Sequence, residues 1–160
     1  MTRFAPAAVA LAFALSCCAV SAEDPKPALS GSDEPCSNSL KEGSPPKRIG
    51  GNIHAPKLLK KKAPEFPRTT AIREPNRFGA KVFLQAIIEK DGSVSCLEVL
   101  STGVRRKGEK EADPELQKYA PWFETEAKQE VRQWQYAPAT EDGKPVRVLF
   151  PMIVDFVVDE

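Results

Sequence analysis

Side chains that could support catalysis are sparse in this sequence. His54 is the single histidine, so a serine-histidine-aspartate triad or a multi-histidine metal centre would depend on one residue in a proline-bearing segment. No GxSxG, P-loop or GxGxxG pattern occurs. The acidic residues between Glu109 and Glu126 follow a loop and the outer face of a helix rather than forming a catalytic pair. The sequence therefore predicts no enzyme, no cofactor and no metal site.

Main-chain hydrogen bonding at the edge of a sheet is the chemistry that the sequence does offer. After Val146, apolar residues recur at every second position, which is the period of a strand with one face on a core: Val148, Phe150, Met152, Val154, Phe156 and Val158. Pro151 has no N–H to give to a ladder, and proline in a sheet is mostly confined to edge strands or bulges. The pattern predicts a long closing strand at 146–158 that lies at an edge and presents its backbone to a partner.

The N-terminal residues 1–22 have the organisation of a signal peptide. Arg3 precedes an apolar run at 5–15, and the letters VSA before Glu23 form a small-x-small cleavage pattern. We expect export, with the mature chain beginning at Glu23. Two alternatives stay open: an uncleaved signal anchor, and a lipoprotein, because the letters LSCC that end at Cys18 approximate a bacterial lipobox.

Cleavage before Glu23 would leave two of the four cysteines, Cys36 and Cys96. An even number of cysteines in an oxidising compartment favours a disulfide between them. The alternative is that Cys96 is a small buried hydrophobic residue and Cys36 a free thiol in a flexible segment. The mature chain has no CxxC pair, so redox catalysis is not indicated.

Composition excludes some partners and divides the chain. Basic residues number 23 and acidic residues 22, so the near-zero net charge creates no strong electrostatic field that would attract nucleic acid.

Residues 23–62 combine prolines with Ser, Gly, Lys and Glu, which predicts a flexible tether between the signal and a domain at 63–160. The tether ends in a lysine cluster that is either a solvated flank or a contact for anionic lipid or glycan: Lys57, Lys60, Lys61 and Lys62.

A hairpin is predicted at the start of the domain. Apolar residues alternate from Gly79 to Ile88, Asp91 and Gly92 form a turn, and 94–100 supply a second strand. The first strand is partly apolar on both faces, which favours an interior position in the sheet.

A helix is predicted between the hairpin and the closing strand. Asp113 followed by Pro114 is suited to cap a helix, although Pro121 is an alternative start. Beyond Pro121, one helical face is apolar and would pack on the sheet: Phe123, Ala127, Val131 and Trp134. Asp142 and Gly143 then turn the chain toward the closing strand.

Together these features resemble a known family over residues 63–158. They include Phe66 with Pro67, the alternating strand after Gly79, the Asp91-Gly92 turn and the Ser101-Thr102-Gly103 strand end. The most specific part is the order Trp134, Tyr136, Pro138, Ala139, Asp142, Gly143, Pro145, Pro151 and Phe156. The chain resembles the C-terminal domain of TonB, the periplasmic energy transducer of Gram-negative bacteria, and more distantly TolA.

The resemblance implies a two-layer α+β domain of ββαβ order, with a three-stranded antiparallel sheet packed by one main helix. It implies a periplasmic protein whose exposed third strand binds the TonB box, a short peptide of an outer-membrane receptor, by strand addition. By position, Phe66 and Pro67 would flank the site. The contact strand would be Arg147, Val148, Leu149, Phe150, Pro151, Met152, Ile153 and Val154.

The sequence also departs from the family pattern. The signal looks cleavable and the tether is short, so coupling to the ExbB and ExbD motor is expected only if the N-terminus stays anchored. Residues 74–76 interrupt a place where members usually carry a short helix, 104–119 looks like an insertion, and Ala63 lacks a polar side chain found in some members. An alternative function is an exported envelope module that forms a homodimer or scaffold through the same edge.

Overall fold

The computed structural model describes residues 35–40, 44–68 and 77–157. The predicted signal peptide, the residues 74–76 and Val158 lie outside the described residues. The strands are β1 (Lys47–Arg48), β2 (Ile53–His54), β3 (Lys57–Lys60), β4 (Phe78–Ile88), β5 (Val94–Arg106), β6 (Gln135–Ala137), β7 (Ala139–Glu141), β8 (Lys144–Val146) and β9 (Val148–Phe156). The helix α1 spans Ala120–Val131, and short 3-10 helices span Cys36–Asn38 and Pro114–Tyr119. The described chain is therefore mixed α+β.

The main sheet has four strands in the order β1, β9, β4, β5. β4 lies in the interior and pairs antiparallel with β5 on one side and β9 on the other, so that Val82 faces both Thr102 and Val154. The predicted hairpin and the interior position of its first strand are confirmed, but the second strand continues to Arg106 and does not end at Ser101 to Gly103 as predicted. The expected three-stranded sheet is not matched, because β1 adds a parallel strand beside Val148 and Leu149.

The turn between β4 and β5 depends on Asp91 and Gly92. The Asp91 carboxylate accepts hydrogen bonds from the N–H and the hydroxyl of Ser93, at 2.9 and 2.6 Å. Gly92 has a φ of +81°, a left-handed conformation that favours glycine. Its carbonyl accepts a hydrogen bond from the N–H of Tyr136 at 3.0 Å. The turn is thereby held against β6.

The core lies between the main sheet and α1. Alternate side chains of β4 and β9 point toward the helix, as expected from the two-residue period of a strand. The rings of Phe123 in α1 and Phe156 in β9 meet edge to face, with centroids 5.0 Å apart. The predicted alternation is confirmed along β9. The strand begins at Val148 rather than Val146, because Val146 belongs to β8 and its separate hairpin with β7.

The helical layer begins with the 3-10 helix Pro114–Tyr119 and continues as α1. The Asp113 carboxylate accepts a hydrogen bond from the N–H of Glu115 at 2.9 Å, so Asp113 caps the 3-10 helix. The α-helix itself begins at Ala120 with Pro121 in its first turn, which agrees with the alternative start. The helix ends at Val131, one turn earlier than the apolar spacing through Trp134 indicated. Trp134 is buried all the same, and its indole N–H donates to the Lys62 carbonyl at 3.2 Å.

Two small sheets are completed by strands from the predicted tether. β2 pairs with β7, which pairs with β8, and β3 pairs with β6. The β7–β8 turn lies at Asp142 and Gly143, whose φ angles of 49° and 78° are the two positive values typical of a type I′ hairpin. The described tether residues from Lys47 are thus folded onto the domain. Backbone hydrogen bonds to β9, β7 and β6 hold these short strands. Because every residue type except proline can make such bonds, the sequence shows no apolar periodicity from which the strands could be predicted.

The face of the main sheet that is turned away from α1 is partly covered by the segment around Cys36. Cys36 forms a disulfide with Cys96 of β5, with Cα atoms 5.6 Å apart. Cys36 also packs with Ile87 and Leu149 in a small buried cluster. Its backbone N–H donates to the Glu98 carboxylate at 3.1 Å. The disulfide, one of the two interpretations that the sequence left open, fastens the N-terminal segment across the sheet.

Replacing Gly92 with alanine is expected to destabilise the domain strongly. A Cβ at Gly92 would lie 1.7 Å from the Tyr136 carbonyl oxygen, and the positive φ adds backbone strain. We expect a loss of about 3 kcal/mol or more in the free energy of unfolding, measured with urea.

The matched control is Gly108→Ala. Gly108 has a φ of +82°, but a Cβ added there would meet no atom within 4 Å, so only the backbone strain of about 1 kcal/mol applies. Equal losses in the two variants would contradict the close approach of Gly92 to the Tyr136 carbonyl.

Candidate peptide-binding edge

The direction of the backbone groups defines the outer edge of β9. The N–H of Lys47 donates to the Arg147 carbonyl at 2.9 Å, so this carbonyl points away from β4. Backbone groups alternate in direction along a strand. The same outer side is therefore faced by the backbone N–H and carbonyl groups of Leu149, Ile153 and Asp155, and by the Pro151 carbonyl. The even-numbered residues of β9 direct their groups to β4.

β1 covers only the beginning of this outer edge. It pairs with Val148 and Leu149, and among the described strands no other lies on the outer side of β9. The expectation of an unpaired edge is therefore wrong at these two residues, where a short segment of the predicted tether has been added. From Phe150 to Phe156 the outer side has no strand beside it in the described part of the chain.

Pro151 lies where its missing N–H disturbs no existing hydrogen bond. It is opposite Gln85 of β4, but its backbone nitrogen belongs to the set that faces outward. The ladder between β9 and β4 therefore keeps all its donors. The outer edge offers two N–H groups, of Ile153 and Asp155, and three carbonyls, of Pro151, Ile153 and Asp155.

Apolar side chains lie beside this edge on the face away from α1. Ile153 is 52% exposed and its cross-strand neighbour Phe83 is 39% exposed. Pro151 is exposed on the same face. Large apolar side chains that share an exposed surface often mark a contact for another chain.

Charged side chains bound the far end of the apolar surface. Asp155 accepts a hydrogen bond from Arg105 at 2.8 Å and forms an ion pair with Lys81 at 3.5 Å. Arg105 reaches Asp155 across Gly79 of β4, where a Cβ would lie 2.9 Å from the Phe156 carbonyl and 3.5 Å from the Arg105 side chain. The contact with Arg105 would be an ordinary one, whereas the contact with the Phe156 carbonyl would be too close, so glycine at this position allows β4 to approach β9.

Phe66 and Pro67 lie on the helix side of β9, near its end. The Phe66 ring is 5.8 Å from that of Phe156 and 6.3 Å from that of Phe123, both edge to face. Pro67 is buried. The structure thus brings the predicted flank next to the predicted strand, and its role in binding stays a prediction.

Charged residues attach the segment that carries Phe66 to the helix. Glu130 of α1 is buried, and its Oε1 accepts a hydrogen bond from Lys62 Nζ at 3.1 Å. That hydrogen bond raises the pKa of Lys62, which also pairs with Glu65 at 3.4 Å. Burial, reinforced by the charge of Glu130, raises the pKa of Glu126. The ion pair between Lys62 and Glu130 thus joins α1 to the segment that precedes Phe66.

Arg147 has an internal role rather than an exposed one. Its side chain is buried, and Nε donates to Glu89 Oε2 at 2.9 Å. Its Nη1 donates to the carbonyls of Ser39 and Ser44, at 3.4 and 3.1 Å. Glu89 Oε1 also accepts a hydrogen bond from the Ser95 hydroxyl at 2.5 Å. Arg147 therefore holds the N-terminal segment to the sheet, a function that no local sequence signal indicated.

The opposite edge of the main sheet is covered in part by the segment that precedes α1. The N–H of Asp113 donates to the Val104 carbonyl at 2.8 Å. The surrounding groups assign the Gln117 amide an orientation, rotated by half a turn about its last bond, in which its nitrogen donates to the Thr102 carbonyl at 3.0 Å and its oxygen accepts from the Val104 N–H at 3.2 Å. These contacts block strand addition at this part of β5, so the outer side of β9 is the better candidate.

His54 and the acidic residues, the other side chains considered for chemistry, form no second candidate site among the described residues. His54 is exposed in β2, where it lies opposite Thr140. Within residues 35–40, 44–68 and 77–157 there is no group of three or more His, Cys, Asp and Glu side chains suited to a metal. In the same residues, no helix has both the length and the apolar character needed to cross a bilayer.

The buried ion pair gives a testable expectation for stability. Arg147→Met removes the buried guanidinium that pairs with the Glu89 carboxylate, so we expect a loss of about 3 to 5 kcal/mol in urea unfolding. Adding Glu89→Gln removes that charge and should recover a large part of the loss. Lys81→Met is the control, because its ion pair with Asp155 is exposed and contributes at most about 1 kcal/mol. Equal effects of the two single variants would contradict a buried, structural role for Arg147.

Comparison with known proteins assigns no family to the chain. Neither the profiles of known protein families nor the curated protein sequences contain a match. The site is therefore defined by its own geometry: an outward-facing backbone, exposed apolar side chains beside it, and a neighbouring strand that covers only its first residues.

Proposed function

We propose that this protein is an exported, TonB-like binding protein that adds an extended peptide to the outer edge of β9. The peptide would be the TonB box of an outer-membrane receptor, and binding would support transport across the outer membrane. The observation that carries this proposal is the outer side of β9 beyond Leu149, which no other described strand covers. The backbone nitrogen of Pro151, which carries no hydrogen, faces that side, as expected for proline in an edge strand.

The available backbone groups set the scale of the interaction. Three carbonyls and two N–H groups, at Pro151, Ile153 and Asp155, would give about 5 kcal/mol at a net of roughly 1 kcal/mol for each hydrogen bond. A micromolar complex needs about 8 kcal/mol. Apolar contacts with Ile153 and Phe83 would supply the remainder, because both side chains border the edge and are exposed.

β1 limits which part of the contact strand a peptide can reach. Lys47 and Arg48 occupy the outer side at Val148 and Leu149, so a peptide would bind from Phe150 onward while β1 is in place. The proposed contact segment is therefore shorter than the strand expected from the resemblance. A longer peptide would have to displace β1.

The disulfide supports a location in an oxidising compartment. Cys36 and Cys96 are joined, and structural disulfides persist in the periplasm but are rare in the cytosol. This agrees with the export signal that the sequence predicts. Coupling to an ExbB and ExbD motor belongs to the proposal only for a form that keeps its N-terminus in the inner membrane.

Self-association through the same edge is the second candidate function. Ile153 and Val157 are 52% and 57% exposed, and an exposed strand edge with apolar side chains is a common route to pairing between copies. Sedimentation velocity distinguishes the two candidates. A tight dimer without affinity for a receptor peptide supports the second, and a monomer that binds the peptide supports the first.

Ile153→Pro tests the strand-addition mechanism directly. The Ile153 N–H faces outward, so proline should remove one donor to the peptide without breaking the ladder to β4. We expect an affinity loss of about fivefold, which corresponds to roughly 1 kcal/mol. The measurement is titration of a receptor N-terminal peptide followed by amide NMR shifts, with thermal unfolding to verify the fold.

Ile153→Val is the matched control, because it keeps the N–H and a β-branched side chain. In the unsubstituted protein, the largest shifts should occur at Ile153 and Asp155. Shifts confined to α1 or β5, or equal affinities of the proline and valine variants, would contradict strand addition at this edge.

A further inference from the structure

The strand β3 and the residues after it form a basic surface with an exposed leucine at its centre. Every residue of β3 is exposed, and its sequence is Lys-Leu-Leu-Lys, followed by Lys61 and Lys62. Lys62 is paired with Glu130 and Glu65, and Lys61 lies over the Trp134 ring, 5.1 Å from its centroid. In the described part of the chain Lys57 and Lys60 form no ion pair. We call Lys57, Leu59, Lys60 and Lys61 the basic strand surface.

Leu59 is exposed because the strand is irregular at this residue. β3 pairs with β6 at Leu58 and Lys60, and the register shifts between them, so Leu59 has no residue opposite it. Its side chain is 66% exposed, against 39% for Leu58. A bulge of this kind turns a side chain away from the sheet. The apolar group is thus presented to the outside among the lysines.

The surroundings of this surface are free of acidic residues in the sequence. No Asp or Glu occurs at 43–64. The partner strand β6 has the uncharged sequence Gln-Tyr-Ala. Neither Lys57 nor Lys60 forms an ion pair with a described residue, so their charge is available to attract anions.

We propose that the basic strand surface docks the protein on an anionic phospholipid membrane. Leu59 enters the boundary between headgroups and acyl chains, while Lys57, Lys60 and Lys61 contact lipid phosphates. An apolar side chain within a cluster of lysines is the pattern of interfacial membrane contacts. A soluble polyanion would match the lysines but would offer no apolar phase for Leu59, so the leucine favours a membrane. The surface belongs to the β3–β6 sheet, separate from the outer edge of β9.

Vesicle flotation of the full-length protein tests this proposal. Vesicles of phosphatidylethanolamine with phosphatidylglycerol are compared with vesicles of phosphatidylcholine alone. We expect stronger binding to the anionic vesicles than to phosphatidylcholine vesicles, and a decrease of this difference with added salt. The double variant Lys57→Gln, Lys60→Gln should lower the partition coefficient about 25-fold, at about fivefold for each lysine. Leu59→Gln should lower it about fivefold.

The controls change equivalent residues elsewhere. Lys110→Gln with Lys144→Gln removes the same charge from other exposed positions, and Leu100→Gln replaces a leucine that is 53% exposed on β5. These variants should bind like the original protein. The N-terminal apolar run is the same in every variant, so differences among them report only on the substituted residues.

Two results would overturn the proposal. The first is anionic-vesicle binding that the Lys57, Lys60 and Leu59 variants do not change. The second is binding that depends on the lysines but not on Leu59 and is matched by soluble polyglutamate, because this would indicate a polyanion partner instead of a membrane. Neither result bears on peptide binding at β9, which is measured without lipid.

Discussion

Satisfying the outward backbone groups of β5 and β9, the two long strands on either side of β4, is the constraint on which this structure depends. An uncovered strand edge is a template for pairing with another chain, so folded proteins cover most of it. On β5, Asp113 and Gln117 bond to groups of Thr102 and Val104. On β9, β1 bonds to the first residues only, and Pro151 leaves one fewer donor beyond them. The remainder of β9, beside which no other described strand lies, is the site of the proposed function.

The N-terminal segment determines how much of β9 remains accessible. A disulfide fastens this segment at Cys36, and the buried side chain of Arg147 binds the carbonyls of Ser39 and Ser44. The backbone carbonyl of the same arginine accepts a hydrogen bond from the N–H of Lys47. The segment that covers the start of the edge is therefore held by a disulfide, by side-chain hydrogen bonds and by a backbone hydrogen bond. The length of the proposed binding site follows from that attachment.

The candidate site could be predicted in part. The alternation in β9 and the proline at 151 indicated an edge strand, and the structure has that strand at the edge of the main sheet except where β1 is added. The contribution of β1 could not be predicted, because two residues have no periodicity and are held only by backbone bonds to a distant strand. The burial of Arg147 was also missed, since its partner Glu89 is 58 positions away in the chain.

The sequence by itself determined the structural elements that depend only on interactions between near neighbours in the chain. These are the hairpin at Asp91 and Gly92, the cap at Asp113, the apolar face of α1 and the alternation along β9, because turn chemistry, capping and periodicity act between near neighbours in the chain. Only the tertiary structure decided the fourth strand, the early end of α1, the joining of Cys36 to Cys96 and the bulge that exposes Leu59. Each of these depends on which distant backbone or side chain supplies a partner, and residue types along the chain do not specify that choice.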